Sequence, residues 1–297
     1  MSAFTSLAAA AGFDVRGAST RALTGGCISE TRWIDLADGT SLVAKRGHGA
    51  AGSFEAEAAG LRRLAATGTV QVPVPLLVDC VEGRPMLLMT AIEPATASEE
   101  TWVRFGRDLV ALHSADVGER YGLEIDNHIG ATPQPNGWCD DWVEFNQVHR
   151  LGHQVRLAKC NGRVDASSAD ALETLIGELD THLPRHPRPA LLHGDLWSGN
   201  AIGGRDGDGH ARIALIDPAV SIGDPLADIA MMRLFGGFPE ACFEAHAQAM
   251  VDDDRTEHRI AVYQLYHLLN HLNLFGSGYF GQVMSLVGRL AALRCRT

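Results

Sequence analysis

Basic residues are in short supply in this chain: 25 Lys and Arg stand against 36 Asp and Glu among 297 residues, a formal net charge of −11. A nucleic-acid backbone or an anionic membrane surface requires a basic face, so neither is expected as a partner, and a small, cationic substrate is easier to reconcile. The six cysteines, at 27, 80, 139, 160, 242 and 295, form no CxxC pair and no dense framework. That absence suits a reducing compartment and predicts a cytoplasmic protein. No apolar run approaches the ~18 residues of a membrane-spanning helix. The N-terminal MSAFTSLAAAAGFDV has no cationic lead and is broken by Gly12, Asp14 and Arg16, so it reads as an amphipathic helix rather than a signal peptide. Internal repeats and low-complexity tracts are missing too. What is there is length enough for a large core, or for two lobes with a cleft between them.

The chain is organised around LLHGDLWSGN, residues 191–200, together with Ile216, Asp217 and Pro218. An Asp, an Asn shortly after it, then a β-rich run ending in a second Asp is the spacing of kinase-type phosphotransferases. Phosphoryl transfer passes through a loose, highly charged transition state, so it needs a positioned base and metal ions that bridge the phosphates. Asp195 is the candidate base, and Asn200 and Asp217 are the candidate Mg2+ ligands. An isolated HGD is no more than a loop with a capping Asp; Asp195, Asn200, Asp217 and Asp228 as a spaced set make it a site. His193 and Asp228 are given structural roles, Asp228 bracing the catalytic loop. His193-Gly194 replaces the His-Arg pair of regulated protein kinases, so activation by loop phosphorylation is not expected.

Upstream, the pattern is strand-rich. Gly25, Gly26, Cys27 and Ile28 lie between two short strands, where backbone amides can close over phosphates or simply turn a hairpin. Asp38-Gly39 then turns the chain into a strand carrying Val43 and ending at Lys45, the place of a phosphate-contacting ammonium. Phe54, Leu61 and Leu64 form one helical stripe bordered by Glu57, the preferred ion-pair partner for Lys45, with Glu55 as competitor. Strands over 76–80 and 86–92 follow. The second is uncharged, as for a strand buried on both faces, and leads to a hinge where backbone near Met89 and Ala91 can meet an adenine edge. A thiol at Cys27 inside the phosphate loop would be sensitive to oxidation or alkylation.

From Trp102 onward helical spacing dominates. Residues 126–150 are a Pro/Asn/Gly-rich loop followed by Trp138, Trp142 and Phe145, with Phe145 assigned to the core. Asn127, Gln134, Asn136 and Trp138 are placed where recognition groups sit. Asn127, Trp138, Trp197 and Ser198 are the candidate substrate contacts, and Asp140, Asp141 and Glu144 could attract an amine. Asp206-Gly207-Asp208-Gly209 fails as a calcium loop because Ala211 falls where the turn requires Gly. His113 reads as a packed helix-end histidine, His267 and His271 as packed rather than zinc-binding, and Asp224-Pro225 as a helix start. The last helix buries Phe280, Val283, Met284, Val287, Leu290 and Ala291.

GGCIS at Gly25, FEAEAAGL at Phe54, DNHIGATPQPNGWCDDWVEF at Asp126, RLGHQ at Arg150, LLHGDLWSGN, IDPAV and ADIAMMRLFGGFP at Ala227 span nearly the whole chain. With these motifs the chain resembles the fructosamine (ketosamine-3) kinases, within the aminoglycoside phosphotransferase and choline kinase group. It departs from their pattern at Ser221-Ile222 and Pro225-Leu226, which bears on the conformation after Asp217. The resemblance implies an α+β, two-lobed protein-kinase-like fold. Residues 1–91 would form a small β-rich nucleotide-binding lobe and 92–297 a larger, mainly helical catalytic and substrate lobe. It implies transfer of the γ-phosphate of ATP, with Mg2+, to the 3-hydroxyl of a ketosamine, either a small molecule or a glycated protein lysine. The product falls off, reversing glycation. An aminoglycoside- or choline-type phosphotransferase is the alternative enzyme, and a nucleotide-binding pseudokinase module the alternative outside that class. The oligomeric state is left open.

Overall fold

The computed structural model describes residues 2–23, 29–47, 52–249 and 255–294. Five strands form one antiparallel sheet in the order β1-β2-β3-β5-β4: β1 (Ser19–Ala22), β2 (Glu30–Asp35), β3 (Ser41–Arg46), β4 (Pro75–Val81) and β5 (Arg84–Thr90). Asp38 makes the β2–β3 hairpin by accepting the Thr40 amide at 2.8 Å, and Gly39 takes φ +89°. Alternation then sorts the side chains. Leu42, Ala44, Met86 and Leu88 face Phe4, Leu7 and Ala8 of helix α1 (Ala3–Ala10). Leu87 and Met89, with Val43 packed alongside, face Phe54, Ala58, Leu61 and Leu64 of helix α2 (Gly52–Ala66) and join the main core. Residues 86–89 of β5 are thus buried on both faces, as their uncharged sequence predicts.

The second part of the chain is mainly helical, with α3 (Glu99–Ser114), α4 (Trp142–Phe145), α5 (Leu151–Cys160), α6 (Ala166–Gly177), α7 (Leu226–Phe235), α8 (Ala241–Ala249), α9 (Thr256–Phe275) and α10 (Phe280–Arg294). Short antiparallel strand pairs lie between them: β6 (Asn127–Ile129) with β7 (Thr132–Gln134), β8 (Ala190–Leu192) with β11 (Ser221–Gly223), and β9 (Ala201–Arg205) with β10 (Ala211–Leu215). Helix α9 packs against α5, α7 and α10 and buries residues on every side, which explains its apolar surround. On α10 the buried stripe is Val283, Leu286, Val287 and Leu290. Ala291, expected in that stripe, is exposed, and Leu286 is buried instead.

Two seams join the sheet to the helical part. Ala95 donates its amide to Gly203 O at 3.1 Å, and Leu215 donates to Gln71 O at 2.8 Å. The first seam needs glycine: a Cβ on Gly203 would lie 2.2 Å from Ala95 O.

Candidate active site

The His193-Gly194-Asp195 loop follows β8, which is held in register by Leu192 opposite Ser221. Ser221 and Ile222, the departure from the family pattern, form β11 and are buried. Gly194 takes φ +83°, and a Cβ there would meet Ala219 O at 2.0 Å, so only glycine allows the turn. Asp228, in the first turn of α7, accepts the amides of His193 (2.8 Å) and Gly194 (2.9 Å), one on each carboxylate oxygen. His193 donates Nε2–H to Ile216 O at 3.0 Å and accepts the Asp195 amide on Nδ1 at 3.3 Å. Burial holds that imidazole below its ordinary pKa, in keeping with the neutral tautomer these two bonds require. Asn200 donates Nδ2–H to Asp195 O (2.8 Å) and to Asp195 Oδ2 (3.3 Å), and its backbone carbonyl accepts the Ile216 amide.

Asp217 follows with φ +55°, a left-handed conformation that Asp tolerates better than most residues and that marks a held, strained position. The Asp217 carboxylate meets Lys45 Nζ at 2.5 Å, and Glu57 Oε1 takes the same ammonium at 2.5 Å. Glu55 is exposed, so Glu57 is the partner. Burial works against the charge on Lys45, but the two carboxylates outweigh it and raise its pKa. Asp195 is pushed up to about 7, chiefly by burial, then by the negative charge of Asp217, with Asn200 partly offsetting both. The fold therefore gathers Lys45, Glu57, Asp195, Asn200 and Asp217 from distant parts of the chain, and braces them with His193 and Asp228.

The nucleotide side is described in part. Gly25, Gly26, Cys27 and Ile28 lie outside the described residues, and with them the expectation for the Cys27 thiol. Val43 and Met89 pair across β3 and β5 on the Lys45 face. The amide of Ala91 donates to Ser41 O and that of Thr90 to Val74 O, so these donors belong to the protein's own ladder rather than to an adenine edge.

Among the candidate substrate contacts, Trp197 and Ser198 border Asp195. Trp197 is 39% exposed and its indole lies over Gly199, where a Cβ would be 2.2 Å from the ring. Ser198 abuts Gly237 of the LFGGFP segment. Asn127 is different and corrects the expectation. It is 4% exposed, donates Nδ2–H to Val220 O (2.8 Å), and accepts from Gln134 and Asn136 on Oδ1. Gln134 and Asn136 are buried with it, and Arg150 caps the group by donating to Asn136 Oδ1 and Pro135 O, both at 2.7 Å. This network, with Tyr266 donating to Gln134 at 2.6 Å, supports the chain after Asp217 and was not legible as such from spacing. Trp138 sits at the surface with the Arg120 guanidinium over its ring. Asp140 and Asp141, read as amine attractors, are paired with Arg120 and Arg185. Asp206, Asp208 and His210 gather within 4.8 Å, but the Asp206 carboxylate accepts the amides of its own turn. His271 donates Nδ1–H to the His267 carbonyl at 2.9 Å, a helix contact.

The comparisons with known proteins agree with this arrangement. A family model described as "Fructosamine kinase" matches residues 2–293. A "Probable ketoamine kinase" of Synechocystis sp. is 37% identical over 270 residues, 90% of this chain and 88% of that protein. A chloroplastic "Protein-ribulosamine 3-kinase" of Oryza sativa is 35% identical, covering 89% of this chain and 76% of that one. A crystal structure of a candidate fructosamine-3-kinase from Haemophilus somnus superposes with TM-score 0.81 at 26% identity over 92% of this chain and 90% of that one. Aminoglycoside phosphotransferase APH(4)-Ia, 17% identical with TM-score 0.61 over 94% of each chain, shares the two-lobed protein-kinase-like fold. With a family match over residues 2–293, this chain belongs to the fructosamine kinase family.

Proposed function

We propose that this protein transfers the γ-phosphoryl group of ATP to the 3-hydroxyl of a ketoamine-linked sugar, a deglycation step. Residues 1–91 serve as the nucleotide-binding lobe and 92–297 as the catalytic and acceptor lobe. The observation that carries this reading is Asp195, a carboxylate raised to about 7 and anchored by Asn200 beside Asp217. A base of that pKa takes a proton from an acceptor hydroxyl near neutral pH. Lys45, held by Glu57, contacts the phosphates of the nucleotide. The Asp217 carboxylate and the amide oxygen of Asn200 are hard oxygen donors of the kind Mg2+ takes, and the Asp217 side chain is 42% exposed. Bound there, Mg2+ would neutralise phosphate charge. Trp197 and Ser198 border the acceptor side. A pseudokinase would have no use for a tuned base at Asp195, and the names of the relatives favour ketoamines over aminoglycosides.

The free thiols of Cys80, Cys139, Cys160 and Cys242 fit a reducing cytosol. No helix among the described residues is long and apolar enough to cross a membrane. The test is incubation with ATP, Mg2+ and a panel of small ketoamines, a glycated protein, an aminoglycoside and choline, with the phosphate located by NMR. Phosphate on the 3-hydroxyl of the ketoamines alone is expected; ATP binding without transfer to any acceptor would remove the proposal.

A further inference from the structure

Asp228 does more than hold the catalytic loop. Its Oδ2, the oxygen that accepts the His193 amide, also meets His113 Nε2 at 3.1 Å, and His113 Nδ1 meets His246 Nε2 at 3.3 Å. The chain of contacts runs from α8 through α3 to α7 and into the loop two residues ahead of Asp195. All three side chains are at most 4% exposed, so no solvent competes for their hydrogen bonds.

The direction of each bond follows from donor and acceptor chemistry. An ionised carboxylate only accepts, so His113 donates from Nε2, and the neutral tautomer that does so leaves Nδ1 bare. A bare Nδ1 only accepts, so His246 must carry its proton on Nε2. Burial alone would push Asp228 up, but the His113 bond and the loop amides hold it below the usual carboxylate range, and it stays ionised. Burial is the chief cause that pushes His246 down to about 3, so it stays neutral. The charged groups around the pair are Asp228 and Arg233 on α7, Arg188 ahead of β8 and Arg259 on α9. The packing that brings α8 close enough is specific too: a Cβ on Gly106 of α3 would lie 2.4 Å from Cys242 O of α8.

We propose that His246 is a positioning residue for the catalytic loop, acting through the aligned relay His246 Nε2–H to His113 Nδ1, and His113 Nε2–H to Asp228. A buried histidine pair that merely filled space would need no common direction. Here the oxygen that ends the relay is the one that fixes His193, so a change at α8 shifts the loop bearing Asp195. The inference rests on the phosphotransferase reading for its kinetic consequence, and on the fold alone for its geometry.

Two measurements test it. In the wild-type protein, long-range 1H–15N NMR should find both His113 and His246 protonated on Nε2; a proton on His113 Nδ1 overturns the relay whether or not any variant folds. Kinetically, His246→Leu removes the donor, whereas His246→Gln offers a side-chain N–H in its place. His246→Leu should lower kcat about tenfold, keep both KM values within twofold and shift the Gly194 amide resonance, since small misplacement of reacting groups acts on kcat. His246→Gln should recover to within about threefold of wild type. A folded Leu variant with wild-type kcat, or Leu and Gln variants that are equally slow, overturns the proposal. Absence of transfer by the wild-type enzyme would instead defeat the phosphotransferase reading, leaving the NMR result to decide the relay.

Discussion

Two polar segments of this chain look alike on paper and do opposite things. Residues 126–150 and residues 191–217 both carry Asn, Asp and Gly, and both interrupt helical sequence. In the first, Asn127, Gln134 and Asn136 are buried at 4%, 2% and 0% exposure, and their amides are committed to one another, to the backbone of Val220 and Ala219, and to Arg150. In the second, Asp195 and Asp217 are only partly covered and retain acceptor capacity after their bonds to Asn200 and Lys45. Polar residues in a loop mark a site when their hydrogen-bonding capacity is left over, and a scaffold when it is satisfied.

Substitutions can break or sharpen this contrast. The largest effect is expected at Asp195. Asp195→Asn should lower kcat by about a thousandfold, within the usual range for removing a general base, while stabilising the protein. The sign follows from linkage. The folded carboxyl keeps its proton up to about pH 7, while the unfolded one loses it near 3.8, so ionisation penalises the folded state increasingly between those values. The Asn variant should therefore gain about 1–2 kcal/mol at pH 8, once ~1.4 kcal/mol per pH unit is discounted for solvent reaching a half-buried group, and nothing at pH 4. Urea denaturation at both pH values checks it; equal gains at pH 4 and pH 8 would contradict the assigned pKa.

Next in size is the pair that spans the two parts of the molecule. Glu57→Gln leaves Lys45 with Asp217 alone and should raise KM for ATP about tenfold, leaving the acceptor KM within twofold, as steady-state kinetics with each substrate varied would reveal. The smallest catalytic effect belongs to the scaffold segment. Asn127→Ala should cost about 1–3 kcal/mol of stability, because Val220 O and two buried amide donors lose their partner, yet keep kcat/KM within about threefold at temperatures where the variant is folded. A large rise in acceptor KM with unchanged melting temperature would return Asn127 to the substrate site and erase the distinction between the two segments.

Much of the side-chain cluster around Asp195 was legible in the chain itself. The period of two in β3 puts Lys45 on the face opposite Leu42 and Ala44, and the stripe of Phe54, Leu61 and Leu64 puts Glu57 at its border; both periods are local properties. The short spacing from Asp195 to Asn200 is local as well, and it closes on itself through two hydrogen bonds. The role of Asn127 was not legible, because its partners lie at Val220, Gln134 and Asn136, and nothing in its neighbourhood along the chain states that its amide will be covered. The Arg120 and Arg185 pairs that neutralise Asp140 and Asp141 are equally distant in sequence or set by a turn.

Sequence alone determined the elements, the pairing of strand lysine with helix glutamate, and the identity of the residues gathered around Asp217, since periodicity, turn chemistry and short spacings act within a few residues. Only the tertiary structure decided which polar groups are satisfied. It set Asp217 at φ +55°, raised Asp195 by burying it beside a second carboxylate, and ran a line of imidazoles from α8 to Asp228. Each of these depends on desolvation and on partners supplied by remote segments, and both come into being only when the chain closes.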